Sequence, residues 1–307
     1  IMASPLSSSL NPLDLQTLIT TYLHEDCPGP FDLGGYVVGP SPKTAHLYLK
    51  SPGYLCGIPF VNAVFSHLSC TITWFTSSNL PPSTPEYTCL PAVEGEYYDP
   101  SPTGKILLAT ITGPASNLLL GERTALNILS RASGVTTEAN RYAKRAKELG
   151  WSGSISGTRK TTPGFRLIEK YALLLSHCDP HRLSLSHMIM LKDNHINSRG
   201  SISEAVKAAK IAGFTTKIEV ECSDYPSALS ALRSGASIIM LDNYKEGCER
   251  DAKKLKEEDG RVIVEASGGV EYETLERFCT ESVDIVSVGK LTQGYPCLDF
   301  SMKLQKE

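Results

Sequence analysis

The sequence predicts two folding units, an α+β layer in its N-terminal part and an α/β barrel after Gly150. Three observations carry that expectation. Before Gly150, helical and strand-like stretches follow one another in mixed order, with no repeat unit. After it, six short apolar stretches alternate with helical ones, the rhythm of parallel βαβ units whose strands are buried on both faces. Each of the six strands then ends in charged, amide or glycine residues, and parallel barrels carry their ligand site at that end.

A chain of 307 residues with 41% hydrophobic residues can bury a large core, as one large or two medium domains. No apolar run approaches the ~18–20 residues of a membrane span, and the first residues lack the basic-then-apolar order of a secretory signal. The nine cysteines are scattered, without a C-x-x-C pair or a Cys/His ligand spacing. That argues against a disulfide framework or structural zinc, and for a reducing, cytosolic location. A formal charge of -3, with no basic helix or aromatic stacking platform, argues against a nucleic-acid surface.

Residues 13–24 place Leu13, Leu15, Leu18, Ile19, Tyr22 and Leu23 largely on one face of a helix, which Pro28, Gly29 and Pro30 end. A second helical stretch, 59–69, leads into the β-branched and aromatic strand 71–75. The Pro- and Ser-rich stretch 77–85 reads as a loop and 105–112 as a strand. From Pro114 to Gly150 the chain reads as helical, with a break at Gly134 and a charged surface helix over Glu138–Leu149. Barrel strands are expected at 154–157, 187–191, 217–221, 237–241, 262–265 and 285–288, and helices at 201–212, 224–234, 246–257 and 271–279. Six such units, or seven with an irregular segment, suit a closed or nearly closed barrel. An open doubly wound sheet fits less well, because no G-x-G-x-x-G turn opens the series.

Positive charge is concentrated in 157–196. Arg159, Lys160, Arg166, Lys170, Arg182 and Lys192 lie there, opposed only by Glu169, Asp179 and Asp193, together with His177, His181, His187 and His195. A basic focus inside an acidic chain predicts a cleft that gathers a polyanionic small molecule. The strand-end residues divide by chemistry. Gly268, Gly269 and Gly289 follow the last two strands, where glycine lets backbone N–H groups approach a phosphate. Glu221 and Asp242 are hard oxygen ligands at adjacent strand ends, able to hold Mg²⁺ directly or through water beside a polyphosphate. Arg159, Lys160, His181, Arg182 and Lys192 supply cationic donors, and the arginine fork matches a carboxylate. The cleft is therefore expected to take one ligand with phosphates and a second rich in carboxylate. His177 and His187 are expected to be structural or surface residues. On the residues alone, Arg123 pairs with a nearby acid.

The motifs ERTALN (122–127), GTRKTTPGFR (157–166), EKYA (169–172), HR (181–182), MLKDNHI (190–196), IEVE (218–221), IIMLDN (238–243), EASGG (265–269) and LTQG (291–294) together resemble the quinolinate phosphoribosyltransferase family. The resemblance runs over roughly 120–300 and more weakly through the N-terminal part, and CDPHR with the QGYP ending is similar in style to fungal members. It implies an N-terminal α/β sandwich over 1–128, joined by the tail 296–307, and a seven-stranded TIM-like α/β barrel over 129–295. It implies the Mg²⁺-dependent conversion of quinolinate and phosphoribosyl pyrophosphate to nicotinate mononucleotide, pyrophosphate and CO₂ in NAD biosynthesis.

By motif, Arg159, Lys160, His181, Arg182 and Lys192 would meet the quinolinate carboxylates, and Arg123 would reach the site of a neighbouring subunit in a dimer or larger homo-oligomer. Glu221 and Asp242 match the ribose and metal positions, and Ser267, Gly268, Gly269 and Gly289 the 5′-phosphate site. Lys160, Lys192, Glu221 and Asp242 would be the catalytic set. The chain departs from the family where Ser176-His177 replaces the usual Gly-Gly, which would narrow the pocket or shift its backbone, and at His187, where many members carry an acidic or small residue. Two other functions remain open: a nicotinate-using phosphoribosyltransferase, and a non-catalytic barrel that binds phosphorylated metabolites as a sensor or assembly component.

Overall fold

The computed structural model describes residues 6–101, 103–244 and 246–306. The chain divides into two compact units, Ile1–Glu138 with Tyr295–Glu307, and Ala139–Gly294. The division falls beyond the 128/129 boundary read from the sequence, inside one long helix. Among the described residues, no helix is long and apolar enough to cross a membrane.

After a 3₁₀ turn over Ser7–Ser9, the first unit continues with α1 (Pro12–Asp26), whose Asn11 cap accepts the Leu13 N–H and whose first residue is proline, which that position tolerates. Then follow α2 (Leu33–Val38), β1 (Pro42–Leu49), β2 (Gly53–Tyr54), α3 (Ile58–His67), β3 (Thr71–Trp74), β4 (Thr88–Cys89), β5 (Tyr97–Tyr98), β6 (Ile106–Pro114) and α4 (Ala115–Glu148). The main sheet runs in the order tail strand Phe300–Leu304, β1, β6, β3 with antiparallel pairings, and β4 pairs with β6 in parallel. β1 was not anticipated from the sequence, because Pro42, Lys43 and His46 interrupt its apolar pattern. α3 buries Ile58, Phe60, Val61, Val64 and Phe65. Truncating a fully buried Phe60 or Phe65 to alanine removes about 3–5 kcal/mol of stability.

The expected break at Gly134 does not occur: α4 runs through it without interruption. The glycine serves the approach of the tail instead. A Cβ there would lie 2.5 Å from the Pro296 carbonyl oxygen and 2.7 Å from the Tyr295 ring. In a helix interior glycine costs about 1 kcal/mol relative to alanine, a smaller penalty than a backbone clash of that depth.

The second unit contains β7 (Ser154–Ser156), α5 (Arg166–Leu175), β8 (Ile189–Leu191), α6 (Asp193–Arg199), α7 (Ile202–Ala209), β9 (Ile218–Cys222), α8 (Tyr225–Ser234), β10 (Ile238–Asp242), α9 (Cys248–Glu258), β11 (Ile263–Ser267), β12 (Ile285–Ser287) and α10 (Lys290–Gln293). Its six parallel strands lie in the order β7-β12-β11-β10-β9-β8. Val220, Ile239, Leu241, Val264 and Val286 are wholly buried in them, as strands covered on both faces require. All six expected strands are present, shifted by one or two residues. The seventh is reduced to a single parallel bridge between Ser156 and Asp179, because Pro180 can donate nothing to a ladder. The expected helix 271–279 is a 3₁₀ helix over Tyr272–Arg277.

Candidate active site

A cleft of about 500 Å³ lies at the C-terminal ends of the parallel strands. After β7 the chain delivers Thr158, Arg159 and Lys160; after β8, Lys192; at β9, Glu221; at β10, Asp242 and Asn243. β11 runs into Ser267, Gly268 and Gly269, and β12 into Gly289 and Lys290. His181 and Arg182 enter from the loop between α5 and β8. Every residue that the motif resemblance placed in the site lines this cleft except Arg123, which is an exposed residue of α4 in the first unit; His177, His187 and His195 do not line it. Two of the six cations in 157–196 do not face it. Arg166 donates to Thr161 Oγ1 and to the Leu183 carbonyl, and Lys170 is buried against backbone carbonyls.

Sequence reading missed a second layer. Met190, Met240, Glu265 and Ser287 also line the cleft, each two residues before Lys192, Asp242, Ser267 and Gly289 at or just past the same strand ends. A strand's side chains repeat with period two, so the residue two positions before a strand-end group lies beneath it on the same face. That signal was available in MLK, MLD, EAS and SVG.

At the end of the cleft that carries Arg159 and Arg182, the buried Arg182 guanidinium is held below its ordinary pKa, first by burial and then by the charge of Arg159, with Glu219 opposing. Two arginines that repel one another call for an anion. Lys192 forms an ion pair with Glu221. Burial first, and then the charge of Glu221, holds the Asp242 carboxyl above the usual range, with Lys192 and Lys160 acting against both. A cation beside these two carboxylates would relieve that strain, so the donor set suits a hard metal ion.

The glycine-rich end of the cleft is built of close backbone approaches. Gly268 has φ +87°, and a Cβ there would meet Asn243, whose backbone nitrogen would be 2.6 Å away. Asn243 itself has φ +57°, donates its backbone N–H to the Ser267 carbonyl at 2.9 Å, and donates its side-chain amide to Asp242. Ser287 Oγ donates to Ser267 Oγ at 3.0 Å. A Cβ on Gly289 would lie 3.2 Å from Lys160 Cδ. Glycine at 268, 269 and 289 keeps side chains out of the cleft these positions line, the condition for backbone N–H groups to approach an anion.

Beside the arginines, His181 meets two buried carboxyl groups, Glu219 and Glu265. His181 sits at φ +55°, a conformation that costs a non-glycine residue about 1–3 kcal/mol unless its surroundings enforce it. They do. Its N–H donates to Asp179 Oδ1 at 2.6 Å, and its Nδ1 accepts the Arg182 N–H at 2.8 Å. Its Nε2 lies 3.2 Å from Glu265 and 3.9 Å from Glu219. A backbone N–H can only donate, so Nδ1 is unprotonated and Nε2 carries the proton that Glu265 accepts. That tautomer leaves no lone pair on Nε2 for a metal ion, although the three side chains come within 4.8 Å of one another.

The Glu219 carboxyl is wholly buried and meets no N–H donor. Burial first, and then the Glu265 carboxyl beside it, push its pKa well above the ordinary carboxylate range. Above about pH 4.5 the unfolded chain therefore releases a proton that the folded chain keeps, and stability falls as pH rises toward the folded pKa. Glu219→Gln is expected to flatten the decline of Tm between pH 6 and 9, a slope of at most ~1.4 kcal/mol per pH unit for one proton. Thermal melts across that range check it.

The departures from the family pattern leave the cleft open. Ser176 turns its hydroxyl back to the Ala172 carbonyl, and His177 is exposed at φ +58°, the left-handed position where a helix usually ends in glycine. Neither lines the cleft, so the expected narrowing is not seen. His187 is exposed and accepts the Leu183 N–H.

Two family models match the chain. The quinolinate phosphoribosyl transferase C-terminal domain matches residues 135–303, and the N-terminal domain of the same family matches 32–133. The chain belongs to the quinolinate phosphoribosyltransferase family. Nicotinate-nucleotide pyrophosphorylase [carboxylating] of Rattus norvegicus is 44% identical over 300 residues, covering 97% of this chain and 93% of the relative. The protein of that name from Homo sapiens is 43% identical over 304 residues, covering 98% and 95%. Among solved structures, NadC from Streptococcus pyogenes superposes with a TM-score of 0.81 at 31% identity, covering 97% of this chain and 98% of that one. The family's N- and C-terminal domain models meet between residues 133 and 135, inside α4.

Proposed function

We propose that this protein is a quinolinate phosphoribosyltransferase, a pentosyl transferase of NAD biosynthesis that converts quinolinate and phosphoribosyl pyrophosphate to nicotinate mononucleotide, pyrophosphate and CO₂. One observation carries the reading: cations, carboxylates and glycines from six consecutive strand ends meet in one cleft. Arg159 and Arg182, with Lys160 and Lys192 nearby, bind the two quinolinate carboxylates and hold the ring so that its nitrogen faces C1 of the ribose. His181 contributes by fixing the Arg182 backbone, its own ring nitrogens being engaged by Arg182 and Glu265. Gly268, Gly269, Gly289 and Ser267 seat the 5′-phosphate.

Glu221 and Asp242 face the positive charge that develops on C1 as pyrophosphate departs, and Lys160 and Lys192 offset the charge of the leaving group. The same two carboxylates would hold Mg²⁺, which supplies further charge compensation to the pyrophosphate. Once the ring nitrogen is quaternary, the 2-carboxylate leaves as CO₂ because the ring accepts its electron pair, and a proton replaces it at C2. The working unit is a homo-oligomer, at least a dimer, in which Arg123 reaches a neighbour's cleft; its exposure on α4 supports that role. Nine free cysteines support a cytoplasmic location.

Incubation with quinolinate, phosphoribosyl pyrophosphate and Mg²⁺ is expected to release pyrophosphate, CO₂ and nicotinate mononucleotide in equal amounts. Nicotinate in place of quinolinate is expected to give no comparable turnover. Release at background level, or a preference for nicotinate, would reject the assignment.

A further inference from the structure

The two loops that bring cations to the carboxylate-binding end are weakly joined by sheet pairing, since the parallel bridge at Ser156 and Asp179 is a single residue long. Past it, one loop carries Arg159 and the other carries Arg182, and the two charges repel. A tie between them comes from a side chain that does not reach the cleft. Lys170, on α5, is buried to 1% exposure. Its ammonium donates to the Thr158 carbonyl at 2.8 Å and to the Pro180 carbonyl. These are the peptide units immediately before Arg159 and His181. On the same helix, Glu169 accepts both the N–H and the hydroxyl of Thr162, at 2.9 and 3.0 Å, so it secures the first loop further along.

An ammonium has three N–H donors and no acceptor, which suits it to bridging two carbonyls. Burying it is costly, and the cost is visible: burial first, then Arg166, lower its pKa to about 8, with Asp179 and Glu169 opposing. A methionine of similar length would fill the same space without that cost. The retained charge therefore points to geometry.

We propose that Lys170 is a positioning residue for dicarboxylate recognition, tying the Arg159 loop to the Arg182 loop at the separation that the two carboxylates of one ligand require. The proposal rests on the quinolinate reading above. It goes further in assigning the spacing of the two arginines to a residue that touches no substrate.

The test compares two probes on the full-length protein by calorimetry: phthalate, which carries two adjacent carboxylates, and benzoate, which carries one. Lys170→Met is expected to weaken phthalate binding about tenfold or more and benzoate about twofold or less. In steady-state kinetics it is expected to raise KM for quinolinate about tenfold and leave KM for phosphoribosyl pyrophosphate nearly unchanged. Lys170→Gln, which keeps N–H donors, is expected to fall between wild type and Met, and it decides the matter if the Met chain does not fold. Equal weakening of phthalate and benzoate, no weakening of either, or a parallel rise in KM for the phosphoribosyl donor would overturn the proposal. Because phthalate binding is read without turnover, failure of the activity assignment and failure of this proposal are separable.

Discussion

Arg159→Ala is expected to lower kcat/KM for quinolinate about a thousandfold, the loss of ~4 kcal/mol expected when one partner of a desolvated charge pair is removed. The reasoning is geometric. Arg159 is exposed in the cleft, and its guanidinium has no partner among the described residues. Nothing in the fold depends on it, so Tm is expected to move by no more than about 1–2 °C. Under the proposed function its partner is the substrate. The loss should appear mainly in KM for quinolinate if the arginine binds ground state and transition state alike, and in kcat if it aligns the ring nitrogen with C1. Steady-state kinetics with a thermal melt of the same preparation check both parts. An activity near wild type would remove Arg159 from the site.

Gly268→Ala is expected to act at the other end of the cleft and on the fold together. Alanine at φ +87° is strained, and its methyl would press on Asn243, with the backbone nitrogen 2.6 Å away. Asn243 cannot retreat without loosening its hydrogen bonds to Ser267 and Asp242. A stability loss of about 2 kcal/mol is expected from strain plus clash, with KM for phosphoribosyl pyrophosphate raised about a hundredfold through displaced donors. Gly269→Ala is the control. Its φ is +64°, but a Cβ there meets nothing within 4 Å, so its stability loss is expected to stay near the backbone strain of about 1 kcal/mol, and any rise in KM for phosphoribosyl pyrophosphate would come without displacement of Asn243. If the two variants behave alike, close packing against Asn243 is not what the glycine at 268 provides.

The barrel was legible because its signals are local: β-branched runs, turn residues, and a change of residue type at each strand's end. The groups standing in the cleft were legible for the same reason. Three things were not. Glu265 reads as one more strand residue until the pleat places it under Ser267 and against His181. Lys170 counts as a cleft charge in any tally, because nothing in EKYA says that the lysine turns inward to two carbonyls 12 and 10 residues away. Gly134 looks like a helix break until the tail from residue 295 arrives beside it. The two-residue period placed Glu265 on the cleft face, but its contact with His181, the inward turn of Lys170 and the arrival of the tail at Gly134 depend on tertiary packing, which local pattern does not specify.

The edge of the first unit's sheet has a consequence for the order in which the protein is made. β1 is flanked by a strand from the chain's far end, and Lys50 and Asp299, joined by a 2.8 Å ion pair at that junction, are 249 residues apart. During translation the N-terminal unit must therefore stand with an unzipped flank while the whole barrel emerges from the ribosome. An open flank of that kind invites pairing with another nascent chain, so the last strand works as a late seal, and chaperone dependence should concentrate in the interval before it arrives.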